Sequence, residues 1–171
     1  MRMNITPYLE KNREQLIAEL KAIIESELPE DVRCIRALVF RESLPGIPFY
    51  IYFLNRFQSS ARGVKPIEPL SKVEVLIDSD EFIGREEAIV ECLDIEDEEE
   101  QDRTYQELNE YYNSLNLLLA QWFTECWQSA GGSNFDTPAF IMEEDGMFDP
   151  INLKTGKSIK HYTEFSNVFD G

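Results

Sequence analysis

Residues 94–132 read DIEDEEEQDRTYQELNEYYNSLNLLLAQWFTECWQSAGG. Apolar side chains recur there at Tyr105, Leu108, Tyr112, Leu115, Leu119, Trp122 and Cys126, in alternating steps of three and four. Such steps return to one side of a 3.6-residue helix and cannot line one face of a strand, whose period is two. Leu118, Phe123 and Trp127 are expected to widen the stripe beyond a narrow coiled-coil seam. A helix this apolar on one side must bury that side against its own chain or a partner. The acidic lead-in suits the positive end of a helix dipole. Gly131 and Gly132 can take left-handed backbone angles without a Cβ clash, which marks a C-cap. A helix over 97–130 would be about 50 Å long; a break near 101–104 would shorten it.

Charge is concentrated on the same part of the chain. The 171 residues carry a formal net charge of −17. Residues 74–110 hold sixteen acidic side chains against Arg85 and Arg103, a net of −14, so the other 134 residues carry only −3. Residues 1–73 are mildly positive, with eleven Lys or Arg against nine Asp or Glu. A field concentrated in this way favours a basic partner and repels nucleic acid and anionic membrane. Asp94, Glu96, Asp97, Glu98, Glu99, Glu100 and Asp102 are the candidate partner-binding residues. The plainer alternative is a solvated helix lead-in.

Bulk composition sets further bounds. Length and a hydrophobic content of 43% suffice for a single α+β domain, 1–171, with its own core. Cys34, Cys92 and Cys126 form no CxxC pair and sit in apolar context, so buried free thiols in a reducing compartment are expected. The first residues show no apolar signal core. No apolar run approaches the ~20 residues that span a bilayer. A cytoplasmic protein is therefore expected.

Along the chain, Thr6-Pro7 reads as a helix start, with Thr6 as cap and Pro7 in the first turn. Leu9, Leu16, Ile17, Leu20, Ile23, Ile24 and Leu28 mark one face of that helix, and Pro29 bounds it. Residues 32–40 and 49–57 are β-rich and flank a Pro-Gly turn, which makes an antiparallel hairpin the best reading. Apolar and aromatic side chains fill both alternation classes of the second run, as in a strand covered on both faces. Residues 58–70 read as an irregular loop with Arg62 and Lys65, beside Arg56; 73–77 read as a third strand. Over 86–95, Glu86 and Glu87 favour helix and Ile89 and Val90 favour strand; helix is preferred. A short strand at 139–142, an Asp-Gly turn, a segment at 148–153, a second turn and an edge strand within 158–169 complete the chain.

Motifs for chemistry are sparse. His161 is the one histidine, and there is no GxSxG elbow, no GxxxxGK[ST] loop and no GxGxxG. No Cys or His residues lie at zinc-ligand spacing. Neither the acidic group at Asp78, Asp80 and Glu81 nor that at Asp145 and Asp149 makes an EF-hand ladder. No cofactor and no metal site is expected. With thirty-three carboxylates, some pair at glycosidase spacing is inevitable and carries no information.

Trp122, Phe123, Cys126, Trp127, Gly131 and Gly132, followed by Phe148, Asp149, Pro150, Thr155 and Gly156, give the C-terminal half a likeness. It resembles a group of small acidic bacterial proteins that includes immunity proteins of polymorphic toxin systems. That resemblance implies a cytoplasmic protein that binds and blocks a toxin and has no active site of its own; it transfers no particular functional residue.

The sequence therefore predicts an α+β fold: a small, mostly antiparallel sheet packed by an N-terminal helix and one long central helix. It predicts a non-enzymatic acidic module that binds a basic protein. Two alternatives stand beside it. One is a structural or regulatory subunit, including a homo-oligomer, that uses surplus aromatic surface such as Tyr111, Trp127 or Tyr162. The other is an enzyme of unrecognised type, whose one histidine-dependent version would need His161.

Overall fold

The structure, a computed structural model, describes residues 4–30, 32–39, 49–54, 85–143 and 148–160. Helix α3 (Glu98–Ser129) is its axis. At 1.5 Å per residue, its 32 residues run about 48 Å without a break. The helix passes straight through 101–104, where the Gln101 N–H donates to the Asp97 carbonyl at 2.8 Å. Tyr112, Leu115, Leu119, Trp122, Phe123, Cys126 and Trp127 are buried along it.

Two residues of the expected stripe depart from it. Tyr105, one turn after Gln101, whose side chain reaches back to the end of α2 (Arg85–Leu93), is 42% exposed. Leu118 is 38% exposed, and Leu117 beside it 39%. The stripe is widened on the other flank: Asn116 and Phe123 lie one turn from stripe residues, and Ala120 and Trp127 lie one turn further out from them.

The C-terminal end of α3 follows the glycine pair. Ala130 is the C-cap, and Gly131 takes φ +100°, the left-handed angle that terminates the helix. Gly132 is needed for space. A Cβ there would fall inside the Trp127 indole. A single 3-10 turn, Gly132–Asn134, then leads to Phe135, whose ring meets Trp127 edge-on at 5.7 Å.

Helix α1 (Thr6–Ile24) lies against α3 and buries Leu9, Leu16, Leu20 and Ile23. Thr6 does not cap it. The Ile5 side chain is drawn into the core, 1% exposed, which starts the helix one residue early and leaves Thr6 as the first helical residue. The Ile5 carbonyl accepts from the Leu9 N–H at 3.1 Å. Asn4 supplies the polar contact instead, its Oδ1 accepting from the Thr6 N–H at 3.1 Å.

The sheet has the order β2-β1-β3-β4-β5, with β1 (Cys34–Val39), β2 (Phe49–Leu54), β3 (Ala139–Glu143), β4 (Ile151–Asn152) and β5 (Lys157–Ser158). Pairings β1–β2, β3–β4 and β4–β5 are antiparallel, and β1–β3 is parallel. The end of β2 and the start of β3 both lie at the start of β1, opposite Cys34 and Ile35, so β3, on the other edge of β1, runs parallel to it. Alternation decides which side chains meet the helices. Ile35, Ala37, Val39, Phe49, Ile51, Phe53, Ala139 and Ile141 share one core with α1 and α3. On the other face Cys34, Leu54 and Phe140 cluster with half-buried Tyr52 and Met142. Thus β2 is fully buried on one face, while Tyr50 and Tyr52 on its other face are only half-buried. The Arg36 guanidinium stands 5.1 Å over the Tyr52 ring.

The fold class is α+β with a mostly antiparallel sheet, as the sequence predicts. Expectations at 58–70, at 73–77, for the Asp-Gly turn and for the tail beyond 160 fall outside the described residues. No described helix is long and apolar enough to cross a membrane.

Candidate functional site

The seven acidic candidates gather where α2 meets α3. Residues 86–93 are helical because Ala88 and Cys92, one turn apart, both pack down on α3. The turn after α2 is held by polar contacts that cross it. Gln101 Nε2 donates to the Leu93 carbonyl at 3.1 Å and to the Ile95 carbonyl at 3.2 Å. The Cys92 thiol donates to the Gln101 carbonyl at 3.4 Å. The end of α2 and the start of α3 are thus tied into one acidic junction.

Within it, Asp97 has a structural task. It is the N-cap of α3, and its Oδ1 accepts from the Glu100 N–H at 2.8 Å. Glu98, Glu99 and Glu100 fill the first turn, where the unpaired helical N–H groups favour negative charge. Asp94, Glu96, Asp97, Glu98, Glu99, Glu100 and Asp102 are all exposed. Among the described residues no cation is paired with them, and their charge faces solvent. Replacing Asp97 by alanine is expected to cost about 1 kcal/mol of stability through the lost cap. Urea unfolding checks this; no loss would mean that Asp97 is free for a partner.

Apolar side chains stand on the same two helices. Val90 is 59% exposed, Leu93 62% and Tyr105 42%.

A groove of about 420 Å³ opens between α3 and the β4–β5 hairpin. Glu125 and Asp149 are its charged lining, with Gln121 and Ser158 beside them and Leu117 and Phe148 as apolar wall. Both carboxylates already have partners. Arg13 Nη2 lies 3.0 Å from Glu125 and 2.9 Å from Glu10, and Ser158 Oγ donates to Asp149 Oδ2 at 3.3 Å. The hydrogen bond from Arg13 holds the Glu10 carboxyl below its ordinary range, and the two carboxylates raise Arg13. As an exposed network this contributes little to stability.

Sequence reasoning missed one buried polar pair. Asn116 and Glu143 are 0% and 1% exposed, and Asn116 Nδ2 donates to Glu143 Oε1 at 3.2 Å. Asn116 interrupts the run Leu115–Leu119 on its buried side, and Glu143 continues the inward alternation of Ala139 and Ile141. Those two breaks in pattern were the available signal. Trp127, named from the sequence as surplus aromatic surface, is 0% exposed and forms part of the core, so it is no contact for a partner. Tyr111 is half-buried, with its ring 5.1 Å from that of Tyr112; Tyr162 and His161 lie outside the described residues.

Cys34, Cys92 and Cys126 are free and buried. Burial pushes the Cys34 and Cys126 thiols up to about 12, against a smaller opposing effect of Arg36 and Arg13. At pH 8 the thiolate fraction at each is then on the order of 10⁻⁴. Both are expected to resist a disulfide reagent in the native protein and to react in guanidinium. Fast native labelling of either, located by peptide mapping, would contradict the packing described.

Among the described residues, no group of three or more His, Cys, Asp or Glu is placed to hold a metal ion. Compared with protein-family models, curated proteins and solved structures, the chain gives no match.

Proposed function

We propose that the protein is a non-enzymatic, acidic protein-binding module that acts as an immunity or inhibitor protein against a basic partner, such as a toxin. The observation that carries this reading is the junction of α2 and α3, where seven exposed carboxylates sit without an ion-pair partner among the described residues. Solubility alone would be served by dispersed charge. Here the acids are crowded at a helix N-terminus that also fixes their direction, through Asp97 and Gln101.

The mechanism is electrostatic. The junction raises the encounter rate with a positively charged surface, and then occupies the groove in which that partner would hold its own anionic substrate. Each carboxylate acts as a fixed charge, so no proton transfer or bond making is required. We read the protein as cytoplasmic, which its three buried free thiols suit.

Affinity capture on immobilised protein tests the reading, with elution by a salt gradient and identification by mass spectrometry. A basic protein released in mid-gradient is the expected result. An empty column at low salt would turn the acidic junction into a solvated helix end and move weight to the subunit and enzyme readings.

A further inference from the structure

An outward-facing apolar pair on α2 has no place in an acidic surface whose role is charge alone. Val90 and Leu93 are the most exposed of the large hydrophobic residues described, at 59% and 62%. They are three residues apart, so they share one side of the helix. Ala88 and Cys92 occupy the opposite side and pack on α3. A nine-residue helix already held by that packing gains nothing from turning a valine and a leucine to water. Glu87, Glu91, Asp94 and Glu96 are exposed beside the pair. The result is an apolar centre with an acidic border, the layout of an interface core and its rim.

We propose that Val90 and Leu93 are the apolar anchor of the partner-binding face, and that its occupant is a basic amphipathic helix of another protein. The inference rests on the acidic-junction reading above and adds the partner's chemistry to it. The occupant's apolar stripe would cover Val90 and Leu93, and its flanking Lys or Arg side chains would meet Glu87, Glu91, Asp94 and Glu96. The acidic border repels nucleic acid and anionic lipid, and it opposes pairing with a second copy of the same face.

The test uses the full chain and two synthetic helical peptides of equal positive charge. One carries leucines at i, i+3, i+4 and i+7, and the other carries alanines there. Fluorescence anisotropy at physiological salt is expected to show the leucine peptide binding at least about tenfold more tightly. Val90→Gln with Leu93→Gln should abolish that advantage and leave the alanine peptide's weaker binding unchanged. Glutamine keeps helix propensity, and both positions are exposed, so the variant is expected to fold as the parent does; circular dichroism checks this.

Equal binding of the two peptides, both weakened by salt, would overturn this inference and leave the acidic reading standing. Binding of neither peptide at low salt would overturn both. A parent dimer that becomes monomeric in the glutamine variant would identify a second copy as occupant and overturn the proposal.

Discussion

Neutralising four carboxylates at the α2–α3 junction, by Glu96→Gln, Glu98→Gln, Glu99→Gln and Asp102→Asn, is expected to slow association with the basic partner at low salt by about tenfold or more. Dissociation should change much less, because exposed charges steer the encounter more than they hold the complex. The four were chosen to spare Asp97, whose Oδ1 caps α3, so the helix start is kept. Folding stability should move by no more than about 1 kcal/mol, since relief of like-charge repulsion opposes the loss of favourable charge at the helix N-terminus. Stopped-flow mixing separates the two rates. An association rate that survives at low salt would make the electrostatic mechanism wrong, whatever the partner.

The largest effect on stability belongs to the other end of the same helix. Trp127→Ala is expected to cost about 3–5 kcal/mol, a large part of the 5–15 kcal/mol that holds a domain of this kind. Trp127 is 0% exposed, Phe135 meets its ring edge-on, and Gly132 has no Cβ because the indole fills that space. Gly132 and Phe135 both belong to the chain that runs from α3 to β3, so their collapse into the vacated volume would move that chain. Leu118→Ala is the control. It removes a leucine of the same helix, one that is 38% exposed, and should change stability by about 0.5 kcal/mol or less. Denaturant midpoints compare the two. Similar costs would mean that α3 is rotated relative to the core described here.

That pair of substitutions also marks what the sequence could tell. The alternating spacing from Leu108 to Cys126 was legible because a buried helix face repeats within a few residues, and the glycine pair announced the helix end. Leu118 was misplaced because an apolar residue beside a stripe looks the same whether it turns inward or to water; only the positions of α1 and the sheet decide. Residues 86–93 were balanced between helix and strand by local preference. Contact of Ala88 and Cys92 with α3, a tertiary fact, resolves it as helix. Likewise the parallel pairing of β1 with β3 joins segments about a hundred residues apart, so no local pattern reports it. The acidic junction was visible as composition, but its rigidity was not. That depends on Gln101 reaching back across the turn to two carbonyls. The outward side of Val90 and Leu93 was equally hidden, because it follows from what lies beneath α2.

The central claim is that a fixed acidic face recruits a basic protein by its field. The most direct measurement is the association rate of the captured partner with the wild-type protein as ionic strength is raised from about 0.01 M to 1 M, across which the screening length falls from about 30 Å to 3 Å. The expected result is a steep fall in the association rate with a nearly constant dissociation rate. An association rate independent of salt would contradict the account and leave the carboxylates of the junction as the solvated start of a helix.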